Sequence, residues 1–303
     1  MAPRRAPKRQ KRDEVAENQE DKSESNEDAS GNGRPKGEDQ KDDKLDAEKQ
    51  EEKAAKVGED DEPRPYEDAN YWEGRYARET TENETDEWGF SYEELEPLLA
   101  PLRPRQRAKD DEKPPIVVDL GCGVSEMLFD MAEDGWDTCK LLGVDLAASA
   151  AKTMQTKARE RELHASVSFE QLDLTKLTDR FEKDSVDMYI DKMTMDAILH
   201  APDGENIAVG ILQQVAFTLQ PGGSFLLVTQ MHPDKDLTFH ERIIEALSER
   251  DKESPSIWQI NLHLSTDESV GLHVYIFTKQ KRHQMARRSG DRGPKFIYKV
   301  HHH

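Results

Sequence analysis

Apolar residues first recur at helical spacing in SYEELEPLLAPL, residues 91–102, and Ser91 stands ahead of them with Glu94 three positions on, a capping box. Pro104, Pro114 and Pro115 then end the helical pattern. From Ile116 the period changes. Short β-type runs fall at 116–120, 140–145, 167–171, 186–190, 224–230, 258–264 and 272–278, and helix-type segments at about 124–134, 147–162, 193–199, 205–219 and 239–250. Strands alternating with helices predict a parallel sheet with crossover helices on both faces. Only the polar loop STDESVG separates the last two runs, so they are expected to pair as an antiparallel hairpin. The expected fold class is α/β and Rossmann-like: a seven-stranded, mostly parallel sheet with one reversed strand.

Composition changes this picture at the two ends of the chain. Residues 1–62 mix Glu, Asp and Lys with Ser, Asn and Gly, which predicts a disordered charged arm. Within it PKRQKR, 7–12, is read either as part of a solubilising tail or as a nuclear import signal. The expected organisation is therefore the arm at 1–62, one catalytic domain at 63–280 and a basic tail at 281–303. No apolar run approaches the ~18 residues of a membrane helix, and the expectation is a soluble protein, cytoplasmic and, if the basic cluster is read by import, nuclear. Cys122 and Cys139 lack metal-ligand spacing, and His232, His240, His263 and His273 are scattered, so no metal site is expected. Residues 63–303 carry 29 Lys and Arg against 43 Asp and Glu, a net charge of -14. Such a surface attracts basic partners and repels phosphate backbones, which favours a basic protein substrate over nucleic acid.

The stretch VVDLGCGVSEMLFDMAEDGWDTCKLLGVDL, 117–146, carries the chemistry: a strand, Gly121-Cys122-Gly123, a helix, then a strand ending on Asp145. An acid at that place typically binds ribose hydroxyls. A dinucleotide loop needs a third small residue, but this one has Glu126, a charge expected to face any pyrophosphate. A nucleoside without phosphate fits better, and S-adenosylmethionine is one whose sulfonium gains from acids and aromatic faces. Further along, Asp173 is placed to accept the adenine amino group and Leu174 to cover the ring. IDKMTMDAIL, 190–199, lies at the carboxyl end of the fourth strand, the edge where ligands of open α/β sheets sit. Upstream, Trp72, Tyr76 and Trp88 in YWEGRYARETTENETDEWGF are read as a lid over the cofactor or as core packing.

Taken together YWEGRY, EWGFSYEELEPLL, VVDLGCGVSEM, LLGVDLA, LDLTKL and DKMTMDAIL resemble the methyltransferase-like 13 group of class I methyltransferases, which includes lysine methyltransferases of elongation factor 1A. The resemblance covers about residues 68–230. It implies that Trp72, Tyr76, Trp88, Gly121, Asp145, Leu146, Asp173, Leu174 and Lys192 hold the cofactor; Gly123 joins them from the loop pattern. The roles of Trp88 and Lys192 rest on the resemblance alone. Members commonly have Asn where this chain has Val124, an aromatic where it has Leu146 and Gly where it has Met193, which implies less stacking on adenine and a narrower substrate entrance.

The function expected from all this is S-adenosylmethionine-dependent methylation of lysine on a basic, elongation-factor-like protein. Asp191 and Asp196 are the candidate catalytic carboxylates that orient the amine as it loses its proton, with Tyr275 and Phe277 as walls for the acceptor chain. The rivals are a small-molecule methyltransferase, a non-catalytic methyltransferase-like binding protein and an aminopropyltransferase. The last finds no polyamine-binding motif here.

Overall fold

The computed structural model describes residues 68–82, 87–104, 113–249, 257–265, 271–280 and 296–302. The expected charged arm and residues 281–295 of the expected tail lie outside them. Residues 63–303 cluster as one compact unit, and all the described residues belong to it.

Eight strands form one sheet in the order β3-β2-β1-β4-β5-β7-β6-β8. β1 (Ile116–Leu120), β2 (Lys140–Asp145), β3 (Val167–Gln171), β4 (Val186–Lys192) and β5 (Leu219–Thr229) are mutually parallel. β7 (His273–Lys279) is reversed between β5 and β6 (Trp258–Leu264). β8 (Phe296–His302) runs parallel to β6 at the edge. The class expected from the sequence is the one observed, a Rossmann-like α/β fold, but the strand count of seven is corrected to eight. Phe296, Ile297 and Tyr298 are strand formers, yet the segment follows a run of Arg and Lys and reads as a tail. The Pro-Gly-Gly turn is folded into the start of β5: Val186 pairs with Leu219 and Met188 with Ser224, so residues 220–223 bulge opposite Asp187.

Successive residues point to opposite faces of a strand, and here both faces are covered. Val117, Leu141, Met188 and Leu226 face one core with α2 (Tyr92–Leu99), α3 (Met127–Met131) and α4 (Ala148–Glu160). Val118, Leu142, Tyr189 and Leu227 face the other, with α5 (Leu177–Arg180), α7 (Gly204–Thr218) and α8 (Leu237–Glu249). Burial on both sides explains why these strands read as continuous apolar runs. α1 (Ala69–Glu82) precedes the sheet, and α6 (Thr194–Leu199) follows β4. The capping box of α2 is formed: Ser91 accepts from the Glu94 backbone N–H while its own N–H donates to the Glu94 carboxylate. Among the described residues no helix is long and apolar enough to cross a membrane.

The strand order fixes where a ligand goes. After β1 the chain proceeds to β2 and β3 on one side, then returns to place β4 on the other, so crossover loops diverge above the carboxyl ends of β1 and β4.

Candidate active site

β1 runs into Gly121-Cys122-Gly123, and both glycines take left-handed backbone, φ +65° and +50°. Neither has room for a side chain: a Cβ on Gly121 would overlap Thr194, and one on Gly123 would lie 2.6 Å from the Tyr76 hydroxyl. Asp145, the last residue of β2, accepts from the backbone N–H groups of Gly123 (2.9 Å) and Ala147 (2.8 Å). The acid assigned to a ribose therefore also fixes the glycine loop. Burial pushes its carboxyl above the usual range, opposed by those backbone donors. A carboxylate has about four acceptor sites, so capacity remains for a ligand.

Above this loop lies a cavity of about 340 Å³, within the ~300–1,000 Å³ of small-molecule sites. Trp72, Tyr76, Trp88, Gly121, Gly123, Asp145, Leu146, Asp173, Leu174 and Lys192, the ten residues expected around a cofactor, all line it. Tyr76 is also buried in a core cluster with Trp72 packed against it, so these rings serve the core as well as the cavity. Trp72 stacks on Tyr76 at 5.8 Å and meets Trp88 edge-on at 6.0 Å, and the Arg75 guanidinium lies 4.8 Å from the Trp88 ring. Glu73 anchors α1, which carries Trp72, Arg75 and Tyr76. Its carboxylate accepts from the Ser149 N–H (3.1 Å) at the start of α4, whose own N-cap, Ala147, supplies no capping side chain.

Several side chains act differently from their expectation. The Lys192 ammonium is buried and pairs with Glu87 while donating to the Trp88 carbonyl (2.7 Å), so it fastens the Glu87–Trp88 segment to β4. Glu126 does not confront a ligand phosphate; it turns to Lys157 (3.1 Å) on α4 and to Arg161 just after that helix. Glu87 takes that place, accepting from the Ser125 hydroxyl (2.8 Å) and the Glu126 N–H (3.4 Å) where a phosphate would otherwise bind. Asp173 caps its own turn through the Thr175 N–H (2.9 Å) and pairs with Lys176 (3.1 Å). Burial alone would raise its carboxyl, but these partners outweigh it and hold it low.

The acceptor side is corrected further. Asp191 and Asp196 are not among the residues lining the cavity. Asp191 is fully buried and accepts from the N–H groups of Thr194 (3.0 Å) and Met195 (3.2 Å), which begins α6. Asp196 accepts from the Thr229 hydroxyl (3.1 Å) and the Gln230 N–H (2.9 Å), tying α6 to the end of β5. Each leaves one buried carboxyl oxygen without a partner among the described residues, and burial raises both carboxyls, Asp191 the more strongly. Both side chains turn inward to organise the backbone. Tyr275 and Phe277 are likewise buried in the second core, not walls of the cavity.

Two features of the cavity were not anticipated. Asp119 lines it while only 2% exposed, and among the described residues no hydrogen bond reaches its carboxylate. Desolvation pushes this carboxyl up to about 7, against the opposing pull of Lys192. Its sequence signal was an acid one residue from the end of an otherwise apolar strand. The second feature is an apolar wall of Ile198, Ala201, Ile207 and Ile211 from α6, α7 and the turn between them. Nothing in the local pattern separates those positions from ordinary core. Cys122 and Cys139 are free and buried, and among the described residues no cluster of metal-ligating side chains occurs.

Comparisons with known proteins fit this arrangement. A family model described as a methyltransferase domain matches residues 111–290. A mitochondrial citrate synthase-lysine N-methyltransferase from Danio rerio is 27% identical over 164 residues, 52% of this chain and 64% of the relative. The chain thus spans just under two thirds of that relative's length. The protein-lysine N-methyltransferase efm4 of Schizosaccharomyces pombe is 31% identical over 175 residues, 52% of this chain and 73% of the relative. A solved SAM-dependent methyltransferase from Methanosarcina mazei aligns with a TM-score of 0.41 at 16% identity, over 61% of this chain and 97% of the other.

Proposed function

We infer the function of this chain from one premise: it belongs to the methyltransferase-domain family, whose model spans residues 111–290. The reading is an S-adenosylmethionine-dependent methyltransferase that modifies lysine on a basic protein. The observation that carries it is the cavity wall: two glycines with no room for a Cβ, a buried acid at the end of β2, and a second buried acid, Asp119, without a hydrogen-bond partner among the described residues. These residues fit the cofactor. Asp145 keeps acceptor capacity for ribose hydroxyls, Asp119 is a carboxyl whose ionised form a cationic group would stabilise, and the aromatic faces of Trp72, Tyr76 and Trp88 suit a sulfonium. Glu87 fills the site a phosphate would use, which disfavours nucleotides carrying one.

S-adenosylmethionine, when bound, supplies a methyl group already activated for displacement. What remains for the protein is largely positioning. Lys192 and Glu87 hold the lid segment down, and Arg75 braces Trp88 beside the cavity. Two lysine methyltransferases among the relatives and the net charge of -14 on residues 63–303 support a basic protein as the acceptor. The test incubates the protein and labelled S-adenosylmethionine with a cell extract pretreated with protease or with nuclease, then hydrolyses the product. The expected label is methyl-lysine that disappears with protease. Label that survives protease and vanishes with nuclease would contradict the reading.

A further inference from the structure

Three non-glycine residues among those described have positive φ, Glu162, Asp184 and Met193, and Met193 alone of these lines the cavity. Its φ of +70° is a backbone state in which any Cβ is crowded. The surroundings leave it no alternative. Its N–H donates to the Val228 carbonyl (3.0 Å), its own carbonyl accepts from the Ala197 N–H (3.1 Å), and Asp191 holds the next two N–H groups. Strain maintained by so many contacts at a cavity wall is characteristic of functional positions.

The side chain is placed to do something there. A Cβ added to Gly89 would lie 3.3 Å from the Met193 Cγ, so the methionine packs against the lid segment just after Trp88. Asp145 and Leu174 mark the opposite, β2–β3 side of the cavity. With ribose and base on that side, the transferable methyl would point toward the β4 wall, and an acceptor amine would arrive beside Met193, at the margin of the lid.

We propose that Met193 sets how many methyl groups an acceptor lysine receives. The inference rests on the lysine methyltransferase reading above. In each transfer the nitrogen lone pair forms the new N–C bond, the C–S bond breaks with its electron pair remaining on sulfur, and the amine's surplus proton leaves to water. For a second or third transfer the nitrogen must present its lone pair along the same line, so methyls already attached swing to the side. That side is filled by Met193. A methyl that must displace a packed side chain slows its step, and a pocket that differs by one carbon discriminates by roughly 10–200-fold.

The experiment compares wild type, Met193→Gly and Met193→Leu. Each is incubated with labelled S-adenosylmethionine and cell extract, and hydrolysed protein is separated into mono-, di- and trimethyl-lysine. Wild type and Met193→Leu are expected to stop at the lower states, and Met193→Gly to raise the trimethyl-to-monomethyl ratio at least about tenfold. Met193→Gly loses the packing on Gly89 but should still fold, because glycine accepts the left-handed backbone, and it should retain S-adenosylmethionine binding by calorimetry. An unchanged ratio, a wild type that already yields only trimethyl-lysine, or loss of cofactor affinity in Met193→Gly would each overturn the proposal. Absence of any methyl-lysine from wild type would instead sink the lysine reading beneath it.

Discussion

At the β1–β2 wall of the cavity, Gly121, Gly123 and Asp145 are fixed by backbone: two left-handed turns with no space for a Cβ, and a carboxylate that accepts two main-chain N–H groups. At the β4 wall, Lys192 reaches across to Glu87 and the Trp88 carbonyl while Met193 packs on Gly89, so that side depends on side-chain contacts to the lid. A wall held by main chain is preformed and intolerant of change. One held by long side chains tolerates substitution and is where specificity is adjusted.

The contrast is broken most forcefully at Gly121. Gly121→Ala places a Cβ into Thr194 on a backbone with φ +65°, and strain plus overpacking together cost about 3 kcal/mol or more. Chemical denaturation should show that loss and calorimetry no measurable cofactor binding; near wild-type values in both would mean that the loop is not rigid. Asp145→Ala comes next. Losing a charged acceptor is worth about 1.5–3 kcal/mol, a roughly 10–100-fold rise in the Kd for S-adenosylmethionine. Stability should drop as well, because the Gly123 and Ala147 N–H groups lose their partner, and Asp145→Asn should fall between.

Asp119 sharpens the comparison through pH. Its folded-state value of about 7 lies above the ordinary 3.8, so between these limits the folded protein holds a proton that the unfolded chain releases. Stability without ligand therefore falls as pH rises through that window, by up to about 1.4 kcal/mol per unit from this group. A cationic ligand requires the ionised form, so affinity for S-adenosylmethionine should improve by up to about tenfold per unit from pH 5 to 7 and then level off. Asp119→Asn should flatten both trends, and matching slopes in mutant and wild type would remove Asp119 from the site. The smallest effect is expected at the lid. Glu87→Gln removes the charge facing the buried Lys192 ammonium but keeps an oxygen acceptor beside the Trp88 carbonyl, a change of about 1 kcal/mol, or a roughly fivefold rise in Kd; a hundredfold change would show the β4 wall to be as rigid as the other.

The same contrast explains what could be read from the chain. The β1–Gly–Gly–β2 unit is local: its glycines, its periodicity and its terminal acid lie within thirty residues and have one geometric solution. The parallel sheet followed from the alternation of periods, because parallel strands need crossover helices; the order of its strands did not. Side-chain direction at the β4 wall is a tertiary outcome. Asp191 and Asp196 sit in a motif at the correct strand end, but the start of α6 and the end of β5 present N–H groups to them, and those groups turned both carboxylates inward. Glu126 turned away from its expected place for a similar reason, since Lys157 on α4 and Arg161 just after it lie more than thirty residues from the loop. β8 was hidden because it follows a run of Arg and Lys that reads as a tail.

Titration of the purified protein with S-adenosylmethionine by calorimetry tests the central claim most directly. One cofactor should bind per chain, with heat that is sharply reduced in Asp145→Ala. A folded wild-type protein that gives no heat at any temperature tested and no thermal stabilisation by millimolar S-adenosylmethionine would contradict it.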